Sequence, residues 1–398
     1  MKRIILSLKA TLKSQNWKVI LVAVFITGLA CSPIYYHRIA LPVDSDYGSH
    51  VVVAQQLLDG EGLDPLHLSH PIMQLLLAAM HLASGQLLGL YASTMILQVL
   101  VQIATVLILY FWIGPADRKG WDWLRAAVAI TLTFVSPLML LAFEDGLFYN
   151  GYISLANYHN PTIHLLKPFA LLSFFYALRA LTGERSAWKG VLLAAFLTGF
   201  SALIKPSYIV SILPALALAV SIRCLQRRRV DWKLLTFGFY LPGILILVAQ
   251  WLAAYVYGDP GEGMIFAPFL VVGAYSQNLL LKFLLSILFP LLALLIARRN
   301  LWTDSGLLVG WTGFLAGAAQ MYLLAEGGLR VYHGNFVWSG QIMLFLLFAV
   351  TVRWLLREKF LAGGMRLWEK IVIYGAYLAH FAAGIAYYIH CMVSIHYV

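Results

Sequence analysis

Apolar runs of membrane-spanning length recur along the whole chain, and they leave few folds open to it. A transmembrane helix needs about 20 mainly apolar residues. Residues 19–36, 91–113, 124–143, 162–181, 233–256, 279–297, 305–324, 338–354 and 371–393 each supply such a run. Residues 188–223 form a longer one, interrupted by Lys205-Pro206, and suit a hairpin of two helices. Pro206 disfavours helical geometry at Lys205. The expected fold is an all-α polytopic membrane protein of about eleven transmembrane helices. Composition agrees: 61% of residues are hydrophobic and only 11% charged, against about 25% charged in a soluble domain. No soluble domain, low-complexity tract or short-period repeat stands out, so residues 1–398 read as a single transmembrane domain.

A net charge of +11 raises nucleic acid as a partner. The basic residues are dispersed between apolar segments, however, with no basic tail or aromatic-rich patch, so no nucleic-acid partner is expected. Their spacing reports topology instead. Residues 71–90 are ambiguous, because Gln74, His81, Ser84, Gly85 and Gln86 leave a short apolar part. Lys and Arg collect in cytoplasmic loops. If residues 71–90 do not cross and the N-terminus is cytoplasmic, 23 of the 28 Lys and Arg residues fall inside; if they cross, only 9 do. Residues 71–83 are therefore expected as a short helix on the outer face, opening at His70-Pro71. A second short helix near 49–58 precedes it, with Asp46 or Ser49 as N-cap and Gly60 and Gly62 at its end. The expected location is an inner or plasma membrane, with the active site on the extracytoplasmic side.

That frame puts the chemistry in the outer loops, because no histidine falls in a cytoplasmic one and the acids there are fewer. The first loop carries Asp44-Ser45-Asp46, His50 and His70. The second carries Glu144-Asp145, Tyr149-Asn150 and His159-Asn160-Pro161, with Lys167 about one turn into the next helix. The third contains Asp259, Glu262 and Lys282, and the fourth runs from Glu326 through Arg330, Tyr332, His333 and Asn335. Aromatic, amide and charged residues together suit a polar ligand in a cleft. Each also has a plainer reading: Glu144-Asp145 ends a helix, Asn160-Pro161 is a turn signal, and Lys167 and Lys205 snorkel. Arg330 stands near glycines that let backbone approach a ligand. His380, inside the last helix, reads as a satisfied buried histidine. Asp44, Asp46, His50, His70, Glu144 and His159 are ligand types compatible with a divalent metal, but no His-x-x-x-His spacing supports one. No cofactor is assigned. Cys31, Cys224 and Cys391 form neither a disulfide framework nor a metal motif. There is no Walker sequence and no nucleophile elbow.

The order of these features resembles the GT-C superfamily of membrane glycosyltransferases. In that family the first helix is followed by an acidic loop motif, two short surface helices and a His-Pro. Here these are Asp44-Ser45-Asp46, Ala54 to Gly60, and His70-Pro71. Ser136-Pro137 and Gly199-x-x-Ala202-Leu203-x-Lys205-Pro206 extend the likeness over roughly residues 1–210; the part from 211 to 398 is similar only in being helical. The family usually has one Asp followed directly by another acid, so either Asp44 or Asp46 matches. The resemblance implies transfer of a sugar from a polyprenyl-phosphate-linked donor to a glycan, lipid or protein hydroxyl. Asp44 or Asp46 would be the base, and Arg330, Lys205 and Lys167 would hold the donor phosphate. His50, His70, Glu144, Asp145, Tyr149, Asn150, His159, Asn160, Tyr332, His333 and Asn335 would bind sugar or acceptor. Direct displacement would invert the anomeric centre. The rivals are a polymerase or ligase of lipid-linked glycans, and a non-enzymatic flippase, which would carry paired repeats and mid-membrane charges.

Overall fold

Capping side chains and prolines mark where many of the helices begin. The computed structural model describes residues 16–41, 45–114, 120–257, 263–297, 300–360 and 365–394. In chain order its helices are α1 (Trp17–Ala40), α2 (Tyr47–Leu58), α3 (Pro65–Ser69), α4 (Ile72–Ala83), α5 (Leu90–Ile113), α6 (Asp122–Leu132), α7 (Ala142–Asp145) and α8 (Pro161–Ala180). They continue with α9 (Trp188–Ile204), α10 (Ser207–Leu225), α11 (Trp232–Val256), α12 (Leu270–Tyr275), α13 (Leu279–Ala297), α14 (Ser305–Leu323), α15 (Val337–Trp354) and α16 (Leu367–Val393). Asn160, Asp231 and Asp304 each accept a backbone N–H of the helix that follows, which satisfies an orphan donor at its start.

The chain is an all-α polytopic membrane protein. Among the described residues, eight helices are long and apolar enough to cross a membrane: α1, α5, α8, α10, α11, α13, α15 and α16. The centre is α15, whose membrane-length window is 94% buried; α11 and α16, at 17% and 28%, form the periphery. Against α15 packs α14, which is glycine-rich. Gly310 and Gly317 lie so close to Val350 and to the Ser339 backbone that neither has room for a β-carbon, and Gly313 packs against the Met343 side chain, the small-residue packing that membrane helices use in place of a hydrophobic drive. Helix α4 has 12 residues. At about 1.5 Å per residue it is too short to cross about 30 Å of hydrocarbon.

The stretch 124–143 departs from the single helix expected there. Helix α6 stops at Leu132, and residues 135–139 have no regular structure. Non-helical backbone inside a membrane protein survives only where other groups satisfy it, and here they do. Ser136 N donates to His380 O (3.1 Å), Leu138 N donates to Leu285 O (3.2 Å), and the Ser136 carbonyl pairs with His380 Nδ1 (2.7 Å). The other ring nitrogen, Nε2, receives the Phe289 amide at 3.3 Å. An amide can only donate, so His380 is neutral with its proton on Nδ1. Gly384 lets the last helix approach the Phe134 carbonyl where a β-carbon would clash.

Two short strands, β1 (Met264–Phe266) and β2 (Leu324–Glu326), pair antiparallel in the register Met264↔Glu326 and Phe266↔Leu324. They tie the start of the 263–275 segment to the loop after α14, at the end of the bundle where α1, α9 and α11 also finish.

Candidate functional site

At that end a cavity of about 530 Å³ lies between α10, α11 and the loop after β2. Its two sides differ in chemistry. Val210, Ile244, Leu247, Val248 and Trp251 make one wall, and Lys205, Glu326, Arg330, His70, His333 and Asn335 contribute to the other. Ile244, Val248 and Trp251 are about half exposed. An apolar pocket with a few convergent polar groups is the preferred place to look for a ligand.

Lys205 reaches this cavity because Pro206 breaks the hairpin at its tip, leaving Lys205 in an extended conformation at the end of α9. Its ammonium is buried, donates to Thr162 Oγ1 at 3.1 Å and lies 4.9 Å over the Trp338 ring. Among the described residues no carboxylate is in ion-pair contact with it. Burial lowers its pKa to about 8, against the opposing pull of Asp46 and Glu326. Arg330 Nη1 lies 3.7 Å from Glu326 Oε1, and its guanidinium sits 5.5 Å over the Tyr255 ring. Tyr255 donates to Glu326 Oε1 at 2.8 Å, and Asn335 Nδ2 donates to Oε2.

Two nearby histidines, His50 and His70, are neutral at pH 7. Desolvation, reinforced by the charge of Lys205, pushes His70 down to about 3 and His50 to about 4. His70 Nδ1 pairs with Ser69 Oγ at 2.7 Å. Gln250 then donates both to Ser69 O (2.6 Å) and to Ala202 O (2.8 Å), which fastens the His70 loop to α9. His50 Nδ1 pairs with Gln74 Nε2 at 3.0 Å.

Asp46 is joined to the cavity by a relay. It occupies the position before α2, but its side chain makes no capping bond to that helix. Instead Oδ2 accepts from Asn160 Nδ2 at 2.5 Å. Asn160 Oδ1 caps α8 through the Ile163 amide and accepts from Thr162 Oγ1 at 2.8 Å, and Thr162 in turn accepts from Lys205. The Asp46 amide also donates to His159 O at 2.9 Å. His159 stands edge-on to Tyr149, 4.9 Å between ring centres, and desolvation lowers it to about 4. Asn157 accepts the His159 and Asn160 amides and donates to Tyr149 OH, which also pairs with Gln341.

Thus Asp46, His50, His70, His159, Asn160, Lys205, Arg330, His333 and Asn335 gather at one end of the bundle, in or beside the cavity. Lys167 does not line it. Its ammonium donates to Leu155 O at 2.8 Å and lies 5.2 Å over Phe345, so its charge holds the 151–160 loop in place. Asp145 and Asn150 are likewise spent on Lys282, whose ammonium bonds Asp145 Oδ2 at 2.5 Å and Asn150 O at 3.2 Å. Burial tends to raise the Asp145 pKa, but the bond and charge of Lys282 and the Leu147 amide hold it below the usual carboxylate range. Lys282 is fully buried. Asp145→Ala would leave that cation without its counter-ion and is expected to destabilise the fold by about 3 kcal/mol, read as a lower melting temperature in detergent. Glu144 is exposed, and Tyr332 contributes its carbonyl to Tyr275 OH. Asp44, Asp259 and Glu262 lie outside the described residues.

Glu326, Tyr255, Gln250 and Trp338 were not singled out as ligand-binding from sequence. Gln250 and Tyr255 sit inside an apolar run whose only local signal is the polar atom itself. Among the described residues no three His, Cys, Asp or Glu side chains are grouped so as to hold a metal ion. No known protein family, curated protein or solved structure matches the chain.

Proposed function

We propose that this chain is an integral membrane glycosyltransferase of GT-C-like architecture. It moves a sugar from a polyprenyl-phosphate-type carrier to a hydroxyl acceptor on the extracytoplasmic side. The observation that carries the reading is the cavity, in which an apolar wall open to the bilayer meets Lys205 and Arg330. A lipid tail fits the first and its phosphate the second, with Arg330 suited to phosphate geometry.

The reading requires eleven passes, three beyond the eight helices of membrane-crossing length and hydropathy, and a cytoplasmic N-terminus. The loops after α1, α7, α9, α11 and α14 meet at one end, which this reading assigns to the extracytoplasmic side. Arg223, which donates to Trp302 O and Thr303 O at 3.0 and 2.9 Å, closes the opposite, basic end.

In the reaction the acceptor oxygen attacks the anomeric carbon from the face opposite the carrier. The bond from that carbon to the phosphate oxygen breaks, and its electron pair leaves on the phosphate, where Lys205 and Arg330 stabilise the charge. The acceptor proton passes to a carboxylate, Asp46 or Asp44. Inversion at the anomeric carbon follows. Reconstitution with a polyprenyl-phosphate-linked sugar tests this reading. Arg330→Ala is expected to weaken donor binding by about tenfold or more, as loss of a charged hydrogen bond does; unchanged affinity would remove Arg330 from the phosphate site.

A further inference from the structure

Among the described residues, Glu326 is the one acidic group lining a cavity whose other charged lining groups, Lys205 and Arg330, are cations. If anion binding were the cavity's whole task, this carboxylate would work against it, because it offsets the Arg330 charge 3.7 Å away. Yet the fold holds it with care. Tyr255 from α11 donates to one oxygen and Asn335 to the other. The strand pairing of Glu326 with Met264 fixes its backbone. The residue is 6% exposed. An ionised carboxylate offers about four acceptor positions, and these two bonds use two of them. What remains is an oriented, desolvated acceptor on the cavity wall beside the cations.

Sugar hydroxyls are the complementary donors, and a hydroxyl bonded to a carboxylate is held more strongly than one bonded to a neutral oxygen. We propose that Glu326, oriented by Tyr255 and Asn335, accepts hydrogen bonds from the sugar hydroxyls of a glycosylated lipid phosphate. The cavity thereby prefers the glycosylated carrier to the bare carrier phosphate. The inference rests on the donor-site reading above and adds to it a means of releasing product. Once the sugar has left, Glu326 has lost the sugar's donors, and its charge opposes that of the remaining phosphate.

The test uses phosphatidylcholine nanodiscs containing the full chain. Its probes are farnesyl phosphate and farnesyl phosphate carrying glucose, mannose or arabinose. Wild type is expected to bind at least one glycosylated probe about tenfold or more tighter than farnesyl phosphate. Glu326→Gln is expected to erase that preference while binding farnesyl phosphate equally well or a few-fold tighter, which also shows that the cavity is folded. Asn335→Leu, which keeps the charge but frees its orientation, is expected to reduce the preference in part. A Glu326→Gln protein that keeps the preference, or weakens both kinds of probe equally, overturns the inference and leaves the donor site standing. So does a wild type that binds farnesyl phosphate as tightly as every glycosylated probe. Binding of neither kind by wild type would sink the donor-site reading, and this inference with it.

Discussion

Asp46→Asn is expected to slow sugar transfer by about 10²- to 10⁴-fold, the usual loss when a positioned general base is removed. Donor affinity should change little, because the groups proposed to hold the phosphate are Lys205 and Arg330. The substitution preserves shape, and the amide can still accept from Asn160, whose side chain caps α8. The variant should therefore melt close to wild type. Single-turnover assays with a polyprenyl-phosphate donor separate the two constants. Asp44→Asn is the necessary companion. If both variants turn over near the wild-type rate, neither Asp is the base.

Lys205→Met should cost about 10²- to 10³-fold in turnover, on the scale seen when one preorganised stabiliser of a developing anion is lost. Methionine fills a similar volume, and the position is already buried over Trp338, so packing is largely kept. The same residue predicts a pH dependence. Free Lys205 titrates near 8, and a bound phosphate would raise that value by favouring the charged form. Donor affinity should be level from about pH 5 to 8 and should fall by up to tenfold per unit above 8. The neutral histidines add nothing in that window, since His50, His70 and His159 titrate at about 4, 3 and 4. Lys205→Arg should lose the alkaline fall. Binding curves from pH 6 to 10 decide it, and a wild-type affinity flat to pH 10 would exclude Lys205 from contact with the phosphate.

Hydropathy made the membrane class legible, and the short helix α4 falls where the sequence predicts one over residues 71–83. Hydropathy misread residues 124–143, which are mainly apolar yet not helical throughout. The backbone groups freed near Ser136-Pro137 are satisfied by His380 and Leu285, partners far along the chain that no local pattern announces. The site divides in the same way. Sequence assigned residues to one side of the membrane, so Asp46, Asn160, Lys205 and Arg330 could be nominated. It carried no information on the lateral order of helices, which decides that Lys205 and Arg330 share a cavity while Lys167 turns to Leu155 O. Glu326 shows the limit most clearly, because its proposed role follows from neighbours supplied by α11 and by the strand pair.

The exposed apolar wall formed by Ile244, Val248 and Trp251 has a consequence for how occupancy is counted. A ligand entering through that wall arrives from a two-dimensional solvent, so its effective concentration is its mole fraction in the bilayer. Diluting proteoliposomes with buffer would leave saturation unchanged, whereas adding inert phospholipid at fixed protein would lower it. If the donor is lipid-linked as proposed, rate and affinity belong on a surface-density scale, and assays in different amounts of detergent compare only after that correction.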